Sequence, residues 1–290
     1  MRKLLEEIDN SIQTNAFDEL DAVIFATPLT SNALHRLALE ANCHVIDVGV
    51  SEQSIAQALT LDNFARGRSK ALVVMAGLAP GLSGLMGLEL ANRFKNSERI
   101  DIILMQSSKG TAGEQGVRDM LDMLTDQKRS AIIATRKNEA IVRGFAGRFL
   151  FELPTPERKL LNRKDQKCEV RYLTAFDTAK MNWQIRTLRF LRGLSETLYT
   201  YLRNHVAQVK SKQKQPEDET MSLVGCAYDN NKVELGRETL SLKSDYEATA
   251  TVALALANMA VKDELPLVAG HLSKFTDWPG FLAKAFPLTE

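Results

Sequence analysis

Residues 21–50 read DAVIFATPLTSNALHRLALEANCHVIDVGV, and residues 71–81 read ALVVMAGLAPG. Ala22-Val23-Ile24-Phe25-Ala26 is apolar at every position. It stops at Thr27-Pro28, where proline removes a backbone donor. Ser31 can cap the segment that follows. There Leu34, Leu37, Ala38 and Ala41 recur at helical spacing. A second apolar run, His44-Val45-Ile46-Asp47-Val48, ends at Gly49, and a helical stretch follows from about Gln53 to Arg66. The third run, Ala71-Leu72-Val73-Val74-Met75, ends at Ala76-Gly77, with a further helix predicted from about Gly81. Strands that are apolar at all positions fit burial on both faces. Their alternation with helices predicts a parallel sheet of βαβ units.

The pattern changes beyond residue 95. Ile100 to Met105 reads as a strand, Ser107 to Gly116 holds three glycines, and Met120, Leu121 and Leu124 suggest a short helix. From about Ala131 to Tyr172 come short β-like runs, which predict an antiparallel sheet of α+β character. A single amphipathic helix is expected from about Asn182 to Val209, with Leu191, Leu194, Leu198 and Leu202 as its buried stripe. Lys210 to Thr220 is polar and reads as an exposed loop. A β pair follows around Leu223–Tyr228 and Lys232–Leu235, then an alanine-rich helix from about Tyr246 to Val261 that should pack on the parallel sheet. The resulting fold class is α/β: an incomplete Rossmann-type parallel sheet with a second α+β domain. The expected division is 1–95, 96–240, and a segment 241–290 that returns to the first domain.

Composition narrows the function classes. Across 290 residues, Lys and Arg total 37 against 36 Asp and Glu, a formal net charge of +1. That balance argues against nucleic-acid binding by bulk charge. Apolar residues at 44% and charged residues at 25% are ordinary for a globular protein. Cys43, Cys168 and Cys226 lie far apart, which is no disulfide framework. No run approaches the roughly 18 apolar residues that a membrane span needs, and the first residues lack a signal-peptide core. The expectation is a cytoplasmic protein with no membrane or nucleic-acid partner.

The chain has no Gly-x-x-x-x-Gly-Lys-Ser/Thr, His-Glu-x-x-His or Gly-x-Ser-x-Gly motif, and His35, His44, His205 and His271 have no metal-ligand spacing. His44 opens a buried strand, which favours a structural role, and His205 is expected on a solvated helix face. The chemically informative places are the ends of the three apolar runs, because ligands in an open parallel sheet bind beyond the strands' carboxyl ends. Gly77 and Gly81 permit close backbone approach, and Gly81 stands near a helix start that favours an anion. A tight strand-to-helix turn explains the same residues equally well.

The run AGLAPGLSGLMGLELANRF at 76–94 resembles a segment of the saccharopine dehydrogenase-like family. Residues 21–50 resemble its two preceding βα units. EVRYLTAFD at 169–177 and SDYEATATVALALANM at 244–259 also match its pattern. The resemblance covers most of the chain, and it rests on the order and spacing of motifs that are each only moderately specific. It implies a pyridine-nucleotide oxidoreductase acting on an amino-acid-derived imine or similar small substrate, with NAD or NADP as cofactor and a homo-oligomeric state. It places Gly77, Leu78, Pro80 and Gly81 near the nicotinamide, and Ala26, Thr27 and Pro28 near the ribose or pyrophosphate.

For the substrate, Ser107, Lys109, Gly110 and Thr111 are candidates on a glycine-bearing turn after a strand. Arg148 and Arg171 are candidates because guanidinium binds carboxylate bidentately. No catalytic acid is identified.

The family opens with a strand and a Gly-x-Gly-x-x-Gly turn, whereas the first glycine here is Gly49. The resemblance thus implies a chain that starts at about the third helix of the Rossmann half. Three readings stay open. One is a fragment or misassigned start of a normal oxidoreductase. Another is a genuine short protein that lost nucleotide binding, and the rival function class is a non-catalytic binding or assembly protein derived from that fold. The third is a chain whose sheet is completed by a partner or by dimerisation.

Overall fold

The computed structural model describes residues 17–27, 29–108, 110, 113–126, 131–134, 149–158, 168–212 and 220–286. The chain divides into two compact units, Met1–Glu89 with Tyr246–Glu290, and Leu90–Asp245. It has an α/β fold, with a parallel sheet in the first unit and a mixed sheet in the second.

In the first unit the three apolar runs are strands β1 (Ala22–Phe25), β2 (His44–Asp47) and β3 (Leu72–Val74). They pair in parallel, with Phe25 opposite Asp47 and Asp47 opposite Val74. β10 (Ala269–His271) adds in parallel beside β3, so the order is β1-β2-β3-β10. Residues of β2, β3 and β10 are buried throughout, whereas Ala22, Val23 and Ile24 of the edge strand β1 are only half-buried. Continuous apolar runs thus mark the strands covered on both faces, and β1 carries the same composition at a partly open edge.

Helices α1 (Ala33–Glu40), α2 (Glu52–Leu59) and α3 (Asp62–Gly67) form the crossovers. The single stretch expected from Gln53 to Arg66 is therefore two helices. Ser51 accepts a hydrogen bond from Ser54 N–H to start the first, and the chain breaks at Thr60–Leu61. The alanine-rich helix α8 (Asp245–Val261) groups with this unit after its first residue and buries Ala248, Val252, Ala253, Leu256, Met259 and Ala260. The chain ends with a 3-10 turn (Leu272–Lys274) and α9 (Trp278–Ala285), which Asp277 caps by accepting Gly280 N–H at 2.7 Å.

The chain leaves the first unit along α4 (Leu82–Arg93) and enters a six-stranded sheet of order β5-β6-β7-β4-β8-β9. The strands are β4 (Arg99–Gln106), β5 (Ile132–Ala134), β6 (Phe149–Glu152), β7 (Glu169–Phe176), β8 (Met221–Tyr228) and β9 (Glu234–Leu242). β5, β6 and β7 pair antiparallel as expected, but β7 joins the central β4 in parallel, so the sheet is mixed. Ile103, Met105, Leu173, Ala175, Val224 and Cys226 alternate along β4, β7 and β8 and pack on one face. Phe151 and Phe176 pack instead with helices α5 (Glu114–Thr125), α6 (Ala179–Leu194) and α7 (Glu196–Ser211).

The long helix expected over 182–209 is two helices. Ser195 sits in extended backbone, ends α6, and accepts Leu198 N–H as the cap of α7. The break turns the apolar stripe. Met181, Ile185, Leu188, Tyr199 and Ala207 are the buried residues, while Leu194 and Leu198 are 68% and 44% exposed. Tyr199 anchors α7 to α5. Its hydroxyl donates to Asp122 at 2.7 Å and accepts from Thr125 at 2.8 Å, and burial pushes its pKa up to about 12. Lys210 and Ser211, expected in a loop, still belong to α7, and residues 213–219 of that loop lie outside the described residues.

Candidate functional site

The carboxyl ends of the parallel strands gather most of the buried polar groups of the first unit. The turn after β3 is the most constrained. Met75 and Gly81 have φ of +54° and +137°, and the Ala79–Pro80 bond is cis. Gly77 N–H donates to Pro80 O at 3.2 Å, and Leu78 N–H to Thr249 Oγ1 of α8 at 3.3 Å. Leu82 and Ser83 N–H donate back to Gly77 O and Leu78 O, both at 2.9 Å. The turn is buried apart from Ala79.

Glycine at 81 follows from this geometry. A Cβ there would run into the carbonyl oxygens of Met75 and Gly77. At Gly77 the nearest neighbour of a Cβ would be Thr249 Cγ2, at 3.2 Å. Gly81 is accounted for by the turn's own carbonyls, and Gly77 stands in tight contact with Thr249 of α8.

Beside it lies a feature that sequence reasoning missed. His35 of α1 and Asp47 at the end of β2 are fully buried, with Nε2 and Oδ2 2.7 Å apart. Asp47 Oδ1 also accepts Gly49 N–H at 2.7 Å. Phe25 meets the His35 ring edge-on at 5.2 Å. His35 Nδ1 and Ser54 Oγ are buried with no hydrogen-bond partner among the described residues. The signal available was an aspartate closing an otherwise apolar strand, facing a histidine on the buried stripe of the preceding helix. With no exposed ring atom, this pair fastens α1 to β2.

His44, expected to be structural, accepts Ala71 N–H at Nδ1 (3.1 Å), and burial lowers its pKa. His271 accepts Ser273 N–H and caps the 3-10 turn. His205 is exposed, as expected. Among the described residues no group of histidine, cysteine and carboxylate could hold a metal ion.

The structure brings Gly77, Leu78, Pro80 and Gly81 together in one turn. Ala26 and Thr27 are exposed just beyond β1, and Pro28 lies outside the described residues. Ser107 follows β4 and accepts Gly110 N–H at 3.1 Å, closing a turn. Lys109, Thr111 and Arg148 lie outside the described residues. Arg171 gives Nε and Nη2 to the two oxygens of Asp101, each at 2.7 Å, so its bidentate face is taken by an internal carboxylate. Its strand register places it opposite Asp101, six residues before Ser107. At about 3.3 Å per residue the two are roughly 20 Å apart, at opposite ends of the sheet. Arg171 and the Ser107 turn therefore cannot hold one small substrate together.

The fit of a dinucleotide can be judged on these residues. Pyrophosphate needs backbone N–H groups turned outward at a helix start, and a crevice where strand order reverses. The turn before α4 directs the N–H groups of Gly77, Leu78, Leu82 and Ser83 inward. The described parallel strands run β1-β2-β3-β10 in one direction without reversal. These residues do not make a pyrophosphate cradle.

The arrangement as a whole has a saccharopine dehydrogenase-like fold. The chain is similar to apo saccharopine dehydrogenase (L-Glu forming) from Saccharomyces cerevisiae, with a TM-score of 0.56 at 12% identity over 92% of this chain and 82% of that one. It also aligns with a diaminopimelate (DAP) dehydrogenase of C. glutamicum solved with DAP, at TM-score 0.48 and 12% identity over 98% and 82% of the two chains. An engineered D-amino acid dehydrogenase bound to NADP+ aligns at TM-score 0.47 and 10% identity, over 98% and 82%. No protein-family model matches the chain, and no curated protein matches it in sequence. Among the described residues no helix is long and apolar enough to cross a membrane.

Proposed function

We propose that this chain belongs to an NAD(P)-dependent oxidoreductase acting on an amino-acid-derived imine or a similar small substrate, in the cytoplasm and as a homo-oligomer. The supporting observation is the likeness to saccharopine dehydrogenase, which runs through 92% of the chain. The warrant is fold-level analogy. In this reading the described residues provide the nicotinamide-side part of the first unit and a substrate unit. Gly77, Leu78, Pro80 and Gly81 then border the nicotinamide. Ala26 and Thr27, exposed just beyond β1, then border the ribose or pyrophosphate. Once bound, the nicotinamide supplies the hydride chemistry. The chain's part is to close the turn at 75–82 rigidly beside it.

A second reading is a non-catalytic binding or assembly protein on the same fold. The inward-turned N–H groups of Gly77, Leu78, Leu82 and Ser83 favour it.

A fluorescence titration with NADH and NADPH tests the pair. The chain alone should show no saturable binding at micromolar concentration. Absent charge-assisted bonds of roughly 1.5–3 kcal/mol each remove several powers of ten in affinity. Fusing a Gly-x-Gly-x-x-Gly βαβ unit ahead of Met1 should restore binding. A fusion that folds and still binds neither nucleotide would favour the assembly protein. Tight binding by the chain alone would overturn the argument from the 75–82 turn.

A further inference from the structure

The helical layer of the second unit carries a groove among its described residues. α6 and α7 turn Met181, Ile185 and Leu188 into the core. Among the described residues, their neighbours along the hairpin line a cavity of about 680 Å³. Its walls include Leu121, Ile185, Leu188, Leu191, Leu202 and Val206. Trp183 and Val209, 63% and 48% exposed, stand at its rim. That volume falls within the roughly 300–1,000 Å³ of small-molecule sites, and apolar walls with a few convergent polar groups are their usual character.

The polar groups gather at one end. The hairpin is antiparallel, so the start of α6 meets the end of α7. There Ser108, Thr178, Lys180 and Lys210 line the cavity, with His205 further along. Lys210 Nζ donates to Ser108 O, which fixes one cation at the mouth. Thr178 accepts Met181 N–H as the cap of α6, whose positive dipole end opens onto the same place. Asp177 adjoins this end and accepts Ser108 N–H at 2.7 Å, and among the described lining residues there is no carboxylate. The cavity is thus apolar along its length, with two lysines and a helix N-terminus at one end.

We propose that this groove binds an amphipathic anion, with a carboxylate head at Lys180 and Lys210 and an unbranched apolar tail along Leu191, Leu202 and Val206. The charge pattern selects this occupant over a neutral or cationic one. An apolar helix of a partner or a second copy would need no cationic end. The site is independent of the oxidoreductase reading and lies wholly within the second unit.

The test uses the full chain with dodecanoate below its micellar concentration, and with dodecan-1-ol and dodecylammonium as matched tails of other charge. Calorimetry and Trp183 emission report occupancy. Saturable dodecanoate binding is expected, at least tenfold tighter than dodecanol, with dodecylammonium weakest. Lys180→Glu should weaken dodecanoate tenfold or more and strengthen dodecylammonium. Lys180→Gln should give an intermediate loss, and it serves where the reversal disturbs folding. Val206→Trp should block all three tails. Equal affinity for dodecanoate and dodecanol, or no effect of either Lys180 variant, would overturn the proposal. So would the absence of saturable binding. Concentration-dependent dimers that shield Trp183 and ignore dodecanoate would likewise overturn it, in favour of a second copy.

Discussion

The turn at 75–82 and the α6–α7 hairpin stand at opposite extremes of closure. In the turn, the N–H groups of Gly77, Leu78, Leu82 and Ser83 are spent internally, and the glycine at 81 is demanded by the turn's own carbonyls. In the hairpin, Trp183 and Val209 remain exposed along a groove, and Phe190, Leu194, Leu198 and Tyr201 are exposed outside it. A glycine-rich turn at a strand end reads as a ligand site in sequence, yet here its constraint is met by the turn and the adjoining α8. The leucine-rich hairpin reads as core, yet it leaves apolar surface for something else. Constraint that a site's own packing explains is weak support for a ligand there. Unfilled concave surface is stronger support.

The two tryptophans allow the regions to be separated experimentally. Trp278 is buried in the first unit and Trp183 is exposed in the second. Urea unfolding of a Trp183→Phe background therefore reports the first unit. Gly81→Ala should show the largest effect. It forces a side chain into the Met75 and Gly77 carbonyls at φ +137°, and a loss of about 4 kcal/mol or failure to fold is expected. Gly67→Ala, with nothing within 4 Å, should change stability by less than about 1 kcal/mol. Comparable losses for the two would show that the turn is not closed as described.

Next in size is the His35–Asp47 pair. Asp47→Ala leaves a buried imidazole with no partner at either nitrogen, and it removes the acceptor of Gly49 N–H. A loss of about 3 kcal/mol is expected, read by Trp278. Asp47→Asn keeps the shape and should lose about half as much. An effect of Asp47→Ala below about 1 kcal/mol would mean that the ring reaches water and that the pair is not a sealed fastening.

In the hairpin the corresponding contrast is Leu188 against Leu194. Leu188 is 8% exposed, so Leu188→Ala should cost about 2–3 kcal/mol, followed by near-ultraviolet circular dichroism. Leu194→Ala, at 68% exposed, should stay within about 0.5 kcal/mol. Equal losses would restore the single-helix stripe.

That stripe shows where sequence reading ran out. The three parallel strands were legible because Ala22–Ala26, Val45–Ile46 and Ala71–Met75 are apolar without alternation. The helix α8 itself was legible from its alanine-rich run at 246–261. The break at Ser195 was not. Leu191, Leu194, Leu198 and Leu202 keep helical spacing across it, and periodicity alone cannot see a cap. The available signal was Ser195 followed by Glu196, a cap residue with an acid in the first turn. Parallel pairing of β4 and β7 joins residues about 70 apart in sequence, which local patterns do not encode. The candidate site was legible only in part. The 76–81 turn was found, but the inward direction of its N–H groups was not, and for Leu78 it depends on Thr249, far along the chain. Arg171 was found as an arginine that could bind a carboxylate, and the carboxylate proved to be Asp101.

The smallest expected effect is electrostatic and returns to the first unit. Asp62 opens α3 and accepts Ala269 N–H at 2.7 Å, so it holds the first residue of the edge strand β10. Arg66 Nε donates to its other oxygen at 3.0 Å. These bonds, the backbone one foremost, hold its carboxyl below the ordinary value of 3.8. A depressed folded-state pKa adds stability above the unfolded value, and that stability is lost as pH falls through the folded one. Asp62 is 35% exposed at its side chain, so solvent screening keeps the contribution to about 0.5–1 kcal/mol. Wild type should therefore exceed Asp62→Asn by that amount at neutral pH when Trp278 reports unfolding. The gap should narrow below pH 3.8 and vanish once Asp62 is protonated in the folded state. A gap that widens on acidification would reverse the sign. The bond to Ala269 would then not favour the carboxylate, and β10 would have to be held at its place beside β3 by the ladder alone.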